Sequence, residues 1–382
     1  MIVYLIMFII AEICVWFAVS DKSVQKNSTT ISFKIGSRQF KYIPTKGSFA
    51  FLLSALPFIA VAALRFQVGT DYGTYVKRQI PEVMNGIYFR VEPLYRYVIK
   101  IGVSIGGYQW VFVLTHLLII YFLWKHIRRY SLDARWSIFV FMFGALFNTS
   151  LNIMRQFVAV AICIYALKYV YEEKLVKYLF FILIACLFHT TGFVFLIFYF
   201  ATKIHFPKWA PLIVTAICTM LSGVLRKLLV YFTSVTGIYS NYINDTRFDI
   251  NDTQWDFILF EVLVSVVIIL CMSVPKSGSA KNRSLTGVLN DKMLATQQSI
   301  CSLMQLCTLV TAALSSIIPN STRIILMFAI GQIIYIPLAL ENHKGKRSYY
   351  YVTAVIILLY LLMFFRFIIN RNIGETLPYN FI

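Results

Sequence analysis

Apolar runs long enough to cross a bilayer recur along this chain, separated by short polar stretches. A hydrocarbon core about 30 Å thick needs roughly 20 mostly apolar residues per helix. Runs of that kind fall at 1–20, 48–64, 207–225, 255–274, 293–318, 324–340 and 349–368. Backbone groups in hydrocarbon must be satisfied internally, which restricts spanning elements to helices and closed barrels. Runs of this length predict an all-α polytopic membrane bundle, with about 10–12 membrane helices once broken half-spans are included. The chain has 382 residues and is 59% hydrophobic and 13% charged. A soluble domain carries about 25% charged residues. Since no polar segment is long enough to fold alone, residues 1–382 read as a single transmembrane domain.

The net charge of +19 could point to nucleic acid, but its distribution argues against that partner. Lysine and arginine concentrate in short loops at 20–47, 125–135, 275–292 and 341–348, the positive-inside pattern of cytoplasmic loops. With those loops inside, the N-terminus lies outside and the stretch after span 48–64 faces the outer side. The N-terminal run lacks a basic start and a small-residue cleavage site, so it reads as a retained span. The seven cysteines lie in or beside apolar runs without a CxxC pair and read as small buried hydrophobes. No His/Asp/Glu spacing resembles a metal site, and no cofactor is expected.

Three segments need more than one rule. Residues 93–107 cannot cross without turning KHIRR (125–129) outward. Glu92, Arg96, Lys100 and Ser104 recur every four residues, which predicts an outer-face amphipathic helix. Residues 136–171 would extend roughly 54 Å as one helix, at about 1.5 Å per residue. The polar knot Asn148-Thr149-Ser150, Asn152, Arg155 and Gln156 is therefore read as an outer-face break. Residues 178–203 have lysines at both ends, so they read as two half-spans meeting at His189-Thr190-Thr191-Gly192. The 226–254 loop and the C-terminal tail are placed outside.

The stretch AALRFQVGTDYGTY (62–75) puts a cation and a carboxylate at a span mouth. Its bland reading is a snorkelling Arg65 and an Asx turn at Asp71. The alternative is an anion site with a base in reach, because guanidinium forks match phosphate oxygens. Arg155 and Arg323, also at outer span ends, are the natural companions of Arg65. Tyr72 and Tyr75 are candidate sugar-stacking aromatics. His189 sits at a helix break, where a carbonyl-bonded core histidine and a functional one weigh about equally. Glu12, Lys168 and Glu261 are lone charges that could be structural, and His116 has no polar neighbour.

Read in order, four motifs resemble the EpsG family of Wzy-like polysaccharide polymerases. They are Arg65 with Gly69-Thr70-Asp71-Tyr72 and Tyr75, Glu92-Pro93-Leu94-Tyr95, Asn152-Ile153-Met154-Arg155-Gln156, and Leu187-Phe188-His189. Arg323 and the Pro378-Tyr379 tail fit more loosely. The resemblance implies a bacterial inner-membrane glycosyltransferase that joins undecaprenyl-pyrophosphate-linked oligosaccharides at the outer face. Arg155 and Arg65 would then serve the pyrophosphate, with Arg323 a third cation and Asp71 the base. Glu92 becomes a second carboxylate or a partner of Arg96, and Tyr72, Tyr75, Gln156 and His189 line the substrate. Membrane lipids, a flippase and a chain-length regulator are the implied partners. A lipid-linked oligosaccharide flippase and an O-acyltransferase using His189 are the competing readings.

Overall fold

The structure is a computed structural model, and it describes residues 1–20, 31–35, 38–42, 46–200, 207–236, 254–273, 290–318 and 321–382. Parts of the 20–47, 226–254 and 275–292 loops therefore lie outside the described residues. Apart from an antiparallel hairpin of β1 (Ile31–Ile35) and β2 (Arg38–Tyr42), the fold is helical. Among the described residues six helices have the length and apolar character to cross a membrane, and a bent pair raises that to seven. Shorter apolar helices pack among them, giving a multi-pass membrane bundle.

α1 (Ile2–Ser20) descends from one end of the bundle, and α2 (Lys46–Leu53) and α3 (Leu56–Ala63) climb back to it. The segment that follows holds the short turns of α4 (Tyr72–Thr74), a π-helical stretch Tyr75–Gln79, and α5 (Ile80–Met84). α6 (Pro93–Gly106) begins with proline in its first turn, where the missing N–H costs nothing. It doubles back at Gly107 onto α7 (Tyr108–Tyr130). Gln109 near the start of α7 donates to the carbonyl oxygen of Arg65 at 3.2 Å, so both ends of α6 lie at the same end of the bundle. The amphipathic reading of 93–107 is correct.

The expected break in 136–171 is present, but the chain breaks twice. α8 (Ala134–Phe143) stops at Gly144, Ala145 takes a left-handed φ of 58°, and α9 (Leu146–Asn152) follows. The reversal itself is at Ile153, before α10 (Met154–Tyr171). Asn148, Thr149 and Ser150 are thus helical rather than looped. α11 (Leu175–Phe188) ends at His189, and a 3-10 stretch Thr190–Leu196 with α12 (Ile197–Phe200) returns. That is the hairpin of half-spans expected at 178–203. Tyr178 Oη donates to the Phe195 carbonyl at 2.5 Å and ties the two limbs.

Two later expectations are corrected. α13 (Ala210–Thr236) runs past the span boundary set at 225, because nothing in 226–236 breaks a helix. Residues 324–340 are not one straight helix. α16 (Ser321–Ala329) and α17 (Gln332–Glu341) meet at a 41° bend. Pro337 inside α17 leaves the Ile333 carbonyl without its i+4 donor, and Ser137 Oγ supplies one at 2.6 Å. α14 (Trp255–Met272), α15 (Asp291–Ala313) and α18 (Ser348–Phe364) match the remaining runs.

Contacts define the two ends. At the basic end, Lys292 pairs with Glu173 at 2.8 Å, Arg129 with Glu172 at 3.6 Å, and Gln297 caps the Tyr130 carbonyl at 2.9 Å. At the other end, the chain after α18 returns to the segment following α3, where Phe66 N–H donates to the Asn380 carbonyl at 2.9 Å. Large apolar side chains on α1 and α13, including Ile6, Ile9, Ile213 and Met220, face outward, as lipid-facing positions do.

Candidate active site

The end opposite the basic loops gathers charge from four separate parts of the sequence. The Arg155 guanidinium, at the first turn of α10, contacts the Glu92 carboxylate and donates to the Arg90 carbonyl at 2.9 Å. Glu92 precedes Pro93 at the start of α6, and its second oxygen lies 4.0 Å from His189 Nε2. Arg155, Glu92 and His189 thus form one cluster, each side chain retaining between 17% and 23% exposure. His189 sits at the junction of α11 and the 3-10 stretch that follows it. Its Nδ1 lies 2.9 Å from Thr191 Oγ1, so the helix break orients the ring.

Beside it lies a second cluster. Arg323, in the first turn of α16, spans both oxygens of Asp71 at 3.0 and 3.1 Å. Tyr75 separates the pairs, its hydroxyl receiving the Arg155 backbone N–H at 3.5 Å. Asp71 does not cap its own short helix with its side chain. The turn reading therefore fails to explain the carboxylate, which points to Arg323 instead.

Asn152 organises the floor. Its Oδ1 accepts from Thr70 Oγ1 at 3.1 Å and from Asp71 N–H at 3.4 Å, while its Nδ2 donates to the Gly374 carbonyl at 3.0 Å. Gly69 (φ +102°) and Gly374 (φ +82°) press on it from opposite sides. A Cβ at Gly69 would stand 2.6 Å from Asn152 Oδ1, and one at Gly374 would overlap Asn152 Nδ2. Both positions need glycine for space and for backbone conformation. Sequence reading placed Asn152 in a motif but gave it no role, and nothing local linked it to residue 374.

Several expectations change. Arg65 has no exposed surface. Its guanidinium donates to the Leu151 carbonyl, to the Val68 carbonyl at 3.3 Å and to Met154 Sδ at 3.2 Å, and stacks 4.7 Å from the Phe112 ring. Without accessible surface it has no direct hold on a phosphate, and it braces the Ile153 reversal instead. Tyr72 and Tyr75 are buried at 7% and 3% exposure, so neither offers a free face to a sugar. Arg96 does not pair with Glu92. It donates to the Val91 and Tyr88 carbonyls at 2.5 and 2.9 Å and shapes the loop before Glu92. Gln156 is buried, its amide donating to Met327 Sδ at 3.7 Å. His116 is a core histidine whose Nδ1 lies 3.0 Å from the Phe112 carbonyl. Among the described residues no group of three or more His, Cys, Asp or Glu side chains could hold a metal ion.

The model of the EpsG family matches residues 48–381. The chain belongs to the EpsG family. This is a family of Wzy-like polymerases, and membership gives the chain a polysaccharide-polymerase-like role in the membrane. The match runs through every element of the site, from the Asp71 loop to the tail. No curated protein and no solved structure matches the chain.

Proposed function

We propose that this EpsG-family protein polymerises undecaprenyl-pyrophosphate-linked oligosaccharide repeat units at the outer face of a bacterial inner membrane. The observation that carries the reading is the juxtaposition of two accessible guanidinium–carboxylate pairs, Arg155–Glu92 and Arg323–Asp71, at the end of the bundle opposite the basic loops. In the reaction, a sugar hydroxyl of one unit attacks the anomeric carbon of the other chain. The anomeric C–O bond breaks, the electron pair leaves with the lipid pyrophosphate, and the hydroxyl proton passes to a carboxylate. Cations placed where phosphate charge grows, and a base within reach of the hydroxyl, are the requirements.

Arg155 and Arg323 supply the cations. A pyrophosphate competes with a carboxylate for each guanidinium fork, since both are planar or tetrahedral oxyanions matched by the same donors. When phosphate takes Arg323, the Asp71 carboxylate is released from its ion pair and is free to accept the hydroxyl proton. Glu92, which holds Arg155, and His189 beside it form the opposite wall and contact sugar hydroxyls. Arg65 acts through Leu151 and Val68 as a positioning residue.

Deletion of the gene, followed by gel analysis of surface glycan, tests the reading. A polymerase predicts loss of the long ladder while single lipid-linked units still reach the outer face. Accumulation of those units inside overturns the assignment in favour of a flippase. Sidedness has its own test in intact spheroplasts. Asn85→Cys should react with an impermeant thiol reagent and Glu173→Cys should not; the reverse pattern sinks the orientation.

A further inference from the structure

We infer that the C-terminal tail, residues 371–382, is a wall of the active site and that Asn152 is the positioning residue through which it sets the Asp71 carboxylate. The tail does not trail from α18. Its root is pinned by Asp256, which receives Arg366 Nε at 2.7 Å and Arg371 Nη2 at 2.9 Å. Asn372 then folds the chain on itself, donating to the Leu377 carbonyl at 2.5 Å and accepting from Leu377 N–H at 3.0 Å. The resulting loop docks on the Asp71 segment through main-chain bonds. Gly69 N–H donates to the Glu375 carbonyl at 2.9 Å and Thr70 N–H to the Gly374 carbonyl at 3.0 Å. Thr376, fully buried, receives Asn148 Nδ2 on its hydroxyl at 2.8 Å and Tyr4 Oη on its carbonyl at 2.9 Å. Phe66 and Ile382 extend the seam with bonds to Asn380 and Leu64 at 2.9 and 3.1 Å.

Asn152 is the part that makes this docking chemical rather than merely structural. One amide reads the tail through the Gly374 carbonyl and the Asp71 loop through Thr70 and the Asp71 N–H. Two glycines face it with no room for a Cβ on either side. Displacing the tail therefore moves Asn152 Oδ1, and with it the backbone from which Asp71 reaches Arg323. Arg155, Glu92 and His189 hang from other elements and stay in place. The effect should fall on turnover rather than on binding of the lipid-linked unit. Misplacing a reacting group by about 1 Å costs on the order of 10²-fold.

The role in catalysis rests on the polymerase reading; the coupling of tail to loop does not. Full-length Gly374→Ala is the test, with Asn372→Ala as a milder second variant should the first insert poorly. Two measurements are made: hydrogen exchange of a peptide covering 66–75, and polymerisation of lipid-linked repeat units with kcat and KM resolved. The expected result is faster exchange in that peptide, a kcat lower by roughly 10²-fold and a KM within about threefold. Asn152→Asp, which keeps the acceptor but turns a repelling oxygen to Gly374, should behave the same way. Unchanged exchange in both tail variants overturns the coupling. Faster exchange with undiminished kcat overturns the positioning role. Faster exchange in a protein whose wild-type form polymerises nothing leaves the coupling standing and removes the polymerase reading.

Discussion

Two polar regions of this bundle use similar side chains to opposite ends. At the site end, Asp71 and Glu92 are each matched by an arginine and remain partly exposed. Inside the bundle, Glu261 on α14 has no exposed surface, and its Oε2 is held by the amides of Gln305 and Gln332 at 2.9 and 2.6 Å. Ser265 and Tyr360 complete that cluster, Tyr360 Oη donating to Gln332 Oε1 at 2.7 Å. No cation of the described residues pairs with Glu261. A buried carboxyl without a counter-ion depends on such hydrogen bonds to offset its desolvation. The contrast teaches that a carboxylate in a membrane protein is read by its partner. Amides hold a buried acid by hydrogen bonds alone, as structural glue between helices, whereas guanidinium groups hold a charge that another anion can compete for.

The largest test of that contrast is at the site. Asp71→Asn and Arg155→Lys should insert at wild-type abundance and lose on the order of 10²–10³ in polymerisation rate, by analogy with removal of one oxyanion donor. Lysine at 155 keeps the charge but not the fork. Near-normal turnover of Asp71→Asn with lipid-linked units would remove the base assignment; the same result for Arg155→Lys would leave only a charge requirement.

Arg65→Lys sharpens the distinction between a buried and an accessible arginine. One ammonium cannot serve the Leu151 and Val68 carbonyls and the Phe112 face together, and an unsatisfied buried group costs about 1–3 kcal/mol. The expected outcome is a lower melting temperature in detergent, with specific activity per folded molecule falling far less than for Arg155→Lys. Equal losses of rate at unchanged melting temperature would return Arg65 to the chemistry.

The smallest effect is expected at Glu261. Glu261→Gln keeps the shape and an acceptor for Gln305 and Gln332, so activity should stay within about threefold, the scale of a modest change in net hydrogen bonding. Glu261→Ala strips those amides of their acceptor and should destabilise by about 1–3 kcal/mol. A collapse of polymerisation in Glu261→Gln at normal abundance would break the comparison and give the buried acid a functional role.

Local rules account for much of what was legible. The existence of most spans, the amphipathic α6 and the hairpin at His189 follow from periodicity and from the placement of lysines and arginines, which act within one turn or one loop. The charged motifs around Asp71, Glu92, Arg155 and His189 could be read as short strings, and the family resemblance lay in them. Burial was not legible. Arg65 looks as exposed in a string as Arg155, yet Phe112, Leu151 and Met154 enclose it completely.

What the sequence by itself determined is the apolar, helical character of the spans and the gathering of lysine and arginine into short loops, because hydrocarbon thickness and the sorting of basic loops act on local composition. Tertiary structure alone decided the pairing. Arg323 meets Asp71 across 252 residues and Gly374 meets Asn152 across 222. Such partners are chosen by the packing of helices and by the absence of a Cβ where two backbones close on one amide. Neither constraint is written in the residues adjacent to it.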